Sequence, residues 1–70
     1  MIDFRILATT TEERDEIRKI LQQKNLHCIN KYSEVPIGFE ICDKTAWELA
    51  PASYRHSKLN RINLEQLRAL

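Results

Sequence analysis

The sequence predicts a small α+β domain: a β-α-β-β unit over residues 1–43, with a three-stranded sheet and one covering helix, followed by a helical C-terminal extension over 44–70. Three observations predict it. Residues 2–8 alternate apolar and polar, the period of a strand with one buried face. Thr10 and Glu13 stand at the spacing of a capping box, just ahead of an amphipathic stretch. Two further segments of strand character, 26–32 and 37–43, flank the turn-forming run Ser33-Glu34-Val35-Pro36.

In the first strand Ile2, Phe4, Ile6 and Ala8 share one face, and the run Thr9-Thr10-Thr11 ends the alternation. A helix over 11–24 follows. Glu12, Glu13, Asp15 and Glu16 crowd its first turns, where the helix dipole favours negative charge, and Arg18, Lys19 and Lys24 lie toward the other end. Ile17, Ile20 and Leu21 form its apolar stripe, and Asn25 is the expected C-terminal stop. Pairing residue 29 with 41 makes a hairpin of the next two strands, with Ile29, Phe39 and Ile41 on the core side. Cys28, Asn30, Tyr32, Glu40 and Cys42 then face away, and a slip of one residue reverses every assignment. The expected sheet order is 1-2-3 or, in a split arrangement, 1-3-2.

Beyond residue 43 the pattern predicts a short helix over 45–50, capped by Asp43 or Thr45, with Trp47 turned inward as a core anchor. Pro51 ends or restarts it. Residues 51–62 read equally as helix or loop. Asn63 and Gln66 repeat the capping spacing, and Leu64, Leu67 and Leu70 recur every third residue, so 64–70 is expected to be helical. Ile62 and Leu64 as a short fourth strand is the alternative. Gly38 is the one glycine in the chain, which argues against long mobile loops.

Seventy residues sit near the lower limit for one self-sufficient core. Ile, Leu, Val and Phe make up 19 of them, above the depleted range of disordered chains, so a folded domain is expected. Its core is thin, and a second copy or a partner is expected to complete the buried area, a homodimer being one such state. Lys and Arg total 11 against 10 Asp and Glu, a net charge of +1, which argues against a protein that lives mainly on phosphate contacts. Two cysteines without a CxxC spacing are too few for a disulfide scaffold. With no basic leader ahead of an apolar run and no long uncharged stretch, a cytoplasmic protein with reduced thiols and no membrane contact is expected.

Enzyme chemistry finds little footing. No glycine-rich phosphate loop, HExxH helix or serine elbow is present. His27 and Cys28 are neighbours, but on a strand adjacent side chains point to opposite faces, so adjacency separates them. The four soft donors His27, Cys28, Cys42 and His56 match no metal-ligand spacing, and neither a metal nor a cofactor nor a small-molecule substrate is expected. In the expected register Cys28 and Cys42 lie opposite each other, which makes a cross-strand disulfide geometrically conceivable. An enzyme built on either thiol would need it unusually reactive.

The strongest functional mark is the acid-free stretch between Glu48 and Glu65, which holds Tyr54, Arg55, His56, Lys58 and Arg61. It reads as a nucleic-acid contact, with the cations on phosphates and Tyr54 stacked on a base, or as a solvated connector whose charges answer Glu12, Glu13 and Glu16. Tyr32, beside Val35 and Pro36, is expected to form a small exposed apolar tip able to anchor a partner. The expected function is a non-catalytic interaction module acting by protein–protein contact or self-association. A small nucleic-acid-binding or regulatory protein using the basic 54–61 segment is the alternative.

Overall fold

Period-two burial runs through the first strand: Phe4 and Ile6 are 1% exposed and Ala8 is 0%, while Arg5 and Leu7 between them are half-buried. The computed structural model describes residues 3–70, so Ile2, expected on the same face, lies outside the described residues. The elements are β1 (Phe4–Ala8), α1 (Thr11–Gln23), β2 (His27–Ile29), β3 (Ile37–Cys42), β4 (Thr45–Leu49), α2 (Pro51–His56) and α3 (Leu64–Ala69). They make an α+β domain with a four-stranded mixed sheet in the order β1-β3-β4-β2.

The helix starts and stops where its side chains dictate. Thr10 Oγ1 accepts from the Glu13 N–H at 3.1 Å, and Glu13 Oε1 accepts in return from the Thr10 N–H, a complete capping box. At the other end Asn25 takes a left-handed φ of 59°. Its N–H donates to Gln22 O and that of Leu26 to Leu21 O, which satisfies carbonyls the helix would otherwise leave open. Asn63 and Gln66 form the second capping box and start α3.

Residues 45–49 are the main correction. They form a strand, so the sheet has four strands and the extension beyond residue 43 begins with one of them. The cause is the two-residue turn Asp43–Lys44, both at positive φ (56° and 63°), which folds β4 back onto β3 with Cys42 opposite Thr45. Two successive positive φ values give the turn that matches the twist of a tight hairpin. β3 thus spends one edge on β4 and the other on β1. The expected pairing of residue 29 with 41 does not form, and β2, shorter than the expected 26–32, runs parallel to β4 on the far side. Relative to the split order, β3 does lie beside β1, but β4 is inserted between β3 and β2.

These registers fix the faces. Phe4, Ile6, Ile37, Phe39, Ile41 and Ala46 point to the side covered by α1, where Ile17, Leu21 and Leu67 of α3 complete the core. Cys28, aligned with Ala46, packs on this core, and Ile29 points the other way, the reverse of the expected assignment for β2. Cys28 and Cys42 are separated by β4 and lie on opposite faces, so the cross-strand disulfide has no geometry; both thiols are free. Tyr32 and Val35 also pack against the core instead of forming an exposed tip.

Candidate functional site: the open half of the sheet

The second face of the sheet is covered only in part. α2 starts at Pro51, directly after β4, and crosses it above Gly38. A Cβ at Gly38 would stand 2.5 Å from Tyr54 Cβ and 2.6 Å from its Cδ1, so only glycine lets the helix lie this close. The chain then passes Ser57, whose Oγ donates to Glu40 Oε2 at 2.7 Å, and reaches the outer edge of β1. There Arg5 N–H donates to Asn60 O at 2.8 Å and Ile62 N–H to Arg5 O at 2.9 Å, a parallel bridge that closes this edge. The strap from α2 to residue 62 therefore covers the β1–β3 half. The β4–β2 half stays open, and β2, only three residues long, borders it.

On the open half stand Thr45 and Trp47 of β4 beside His27 and Ile29 of β2. Trp47 is 46% exposed, so it is a surface ring and not the expected core anchor. The polarity of β4 is inverted: its core-side positions hold Ala46 and Glu48, and its outer positions Thr45, Trp47 and Leu49. That inversion is the signal that identifies the face, and it is legible only once the segment is known to be a strand.

Glu48 stabilises this arrangement from below. It is 4% exposed on the core side and holds Arg18 through two bonds, Nε to Oε2 at 2.7 Å and Nη2 to Oε1 at 2.9 Å. Its Oε1 also accepts the N–H groups of Lys31 and Tyr32 at 2.8 and 3.0 Å, and Arg18 Nη2 donates to Tyr32 O at 2.6 Å. Burial pushes the carboxyl up, but the Arg18 bond and the two N–H donors outweigh it and hold Glu48 below its ordinary value. The acid thus ties α1, β4 and the segment after β2 into one unit.

The basic segment is distributed in two ways. Tyr54 is buried at 4% exposure beneath α2, with the Arg5 guanidinium 4.9 Å from its ring centre and Arg5 Nη1 donating to its carbonyl at 2.7 Å. No ring face is left for a base, so the nucleic-acid reading of this segment loses Tyr54 as a stacking residue. Arg55, His56, Lys58 and Arg61 are exposed and, among the described residues, pair with no carboxylate. They do not answer the acidic start of α1. Glu13 is occupied by its cap, and Glu16 is held by Arg68 Nη2 at 2.8 Å, which pulls the carboxyl below its ordinary value. Tyr32 is half-buried and contributes its backbone to the Glu48 network.

Neither thiol shows the electrostatics of a nucleophile. Burial first and then the Glu48 charge raise Cys28, and burial followed by the Asp3 charge raises Cys42, the direction opposite to thiolate activation. Among the described residues no group of three or more His, Cys, Asp or Glu side chains is gathered as a metal site, and no helix is long and apolar enough to cross a membrane.

Known proteins add no identity here. No family model matches the chain, and no curated protein or solved structure matches it significantly.

Proposed function

We propose that this chain is a non-catalytic interaction module that acts by contact through the open β4–β2 half of its sheet. The observation that supports this reading is Trp47, a large ring placed mid-strand and left 46% exposed where the neighbouring half of the same face is covered by α2. Exposed aromatics fixed on a rigid element are favoured anchors, because little side-chain entropy is lost when they bind. Another protein, or a second copy of the chain, meets such a face with apolar side chains on Trp47, Ile29 and Leu49, and the open β2 edge offers strand addition. A nucleic-acid partner is favoured by a separate observation, the exposed cations of the strap without carboxylate partners.

Trp47 is the sole tryptophan, so its emission reports directly on this face. The test follows that emission and the sedimenting mass across a dilution series, and on addition of single- and double-stranded oligonucleotides. A display selection of random peptides is run against wild type and Trp47→Ala in parallel. The proposal expects at least one arm to move the Trp47 signal or to depend on Trp47. A monomer whose emission never changes, and whose selected peptides bind Trp47→Ala equally, overturns it.

A further inference from the structure

We infer that α2 is a displaceable strap, a helix that lifts from the sheet as a unit while the four strands and α1 stay folded. This device is separate from the contact surface at Trp47. Tyr54 Oη and Arg5 Nε are, among the described residues, the only buried side-chain polar atoms without a hydrogen-bond partner. Both lie where α2 meets the sheet, with the Arg5 guanidinium over the Tyr54 ring. A polar group buried without a partner forfeits its hydration, so each atom destabilises the closed strap and is relieved when the strap opens.

Little else holds α2 down. Its six residues are too few for a helix to persist on its own backbone bonds. Ala50, at the N-cap, offers the first turn no side-chain acceptor. Pro51, Ala52, Ser53, Arg55 and His56 are all exposed, so Tyr54 is the single buried anchor. By contrast α1 buries Ile17 and Leu21 and begins with a complete capping box. Two polar attachments assist Tyr54: Arg5 Nη1 donates to its carbonyl, and Ser57 Oγ donates to Glu40. Water replaces both when the strap lifts, and what opposes lifting is the exposure of one ring.

Lifting changes the outer face in a defined way. Leu7 pairs with Gly38 and Gly38 with Leu49, so the three form one row across β1, β3 and β4. Leu49 follows Trp47 by two residues on the same face of β4. With Tyr54 off Gly38 that row joins Trp47 in one apolar band, which the closed strap interrupts. The strap thereby regulates how much of the face is offered.

The test is native-state hydrogen exchange on the full chain, read residue by residue at low urea concentrations. The reporters are the amides of Tyr54 and Ser57, which donate to Ala50 O and Tyr54 O. Both are expected to exchange at least about 10-fold faster than the core amides of β3, with little dependence on urea, the mark of a local opening. Tyr54→Phe keeps the ring and removes the unpartnered hydroxyl. It is expected to slow exchange at residue 54 and Ser57 by about 5-fold or more. Ser57→Ala removes the bond to Glu40 and is expected to speed exchange at residue 54 by about 5-fold, with β3 unchanged in both variants. The inference is overturned if residue 54 and Ser57 exchange in step with β3, or if Tyr54→Phe leaves their exchange unchanged or faster. Trp47 takes no part in these readouts, so the strap and the contact surface stand or fall separately.

Discussion

The two faces of this sheet follow opposite rules. On the α1 side every large apolar strand residue is within a few per cent of complete burial, and the one charged residue, Glu48, is held by four hydrogen bonds. On the other side burial stops halfway across. α2 seals the region over Gly38 with Tyr54, and two strands further on Trp47 is open to solvent. A chain of this size has one sheet but only enough helix to cover one and a half of its faces. The covered face supplies stability, and the uncovered half leaves Trp47 open to solvent, which is where we place the proposed contact surface.

That contrast is broken most severely at Glu48. Glu48→Ala leaves the Arg18 guanidinium and two backbone N–H groups without their acceptor, and a loss of about 3–5 kcal/mol in urea unfolding is expected. Breakage of the same network by acid follows from its direction. The folded-state value of Glu48 is depressed, so between the folded and unfolded values the unfolded chain binds more protons. Stability is then fully present above the ordinary carboxylate range and falls as pH drops through it. Unfolding midpoints measured from pH 7 down to 3 should decline for wild type and decline less steeply for Glu48→Gln. A pH-independent midpoint would contradict the network.

Gly38→Ala tests the sealed half of the second face. Its Cβ meets Tyr54 backbone-proximal atoms that cannot swing away, so α2 must lift, at a cost of about 1–3 kcal/mol. The change should appear in the near-ultraviolet signal of Tyr54 while the α1 side keeps its protection from hydrogen exchange. Loss of protection in both layers at once would show that the two faces are not separable. The smallest effect is expected at Trp47→Ala, about 0.2–1 kcal/mol, the size of a cross-strand pair contribution on an exposed strand surface. A loss well above that would make Trp47 a core residue after all and remove it from the contact surface.

Some of this was readable from residues alone because the interactions are local. Thr10 with Glu13 and Asn63 with Gln66 lie within one helical turn of each other, and Asn25 ends α1 through its own backbone, so no distant contact is needed to recognise them. The alternation of Phe4, Ile6 and Ala8, and of Ile37, Phe39 and Ile41, likewise shows itself along the chain. β4 did not, for two reasons. Its turn carries Asp-Lys where glycine or asparagine would announce two positive φ values. Its inward positions hold Ala46 and a carboxylate, so the apolar pattern points outward. The site inherits that blindness: Arg55, His56, Lys58 and Arg61 were visible as cations, but Trp47 and His27 come together only through the parallel β2–β4 pairing.

The sequence by itself therefore determined the α+β class, the one long helix with both its ends, and the segregation of charge, since each rests on neighbours in the chain. Tertiary structure alone decided strand order, which side of β2 meets the core, and the fate of the acid-free stretch. Those depend on which edge β3 offers to which partner, and on one glycine that admits Tyr54 beneath α2. Long-range pairing is chosen by the whole core at once, so no local pattern encodes it.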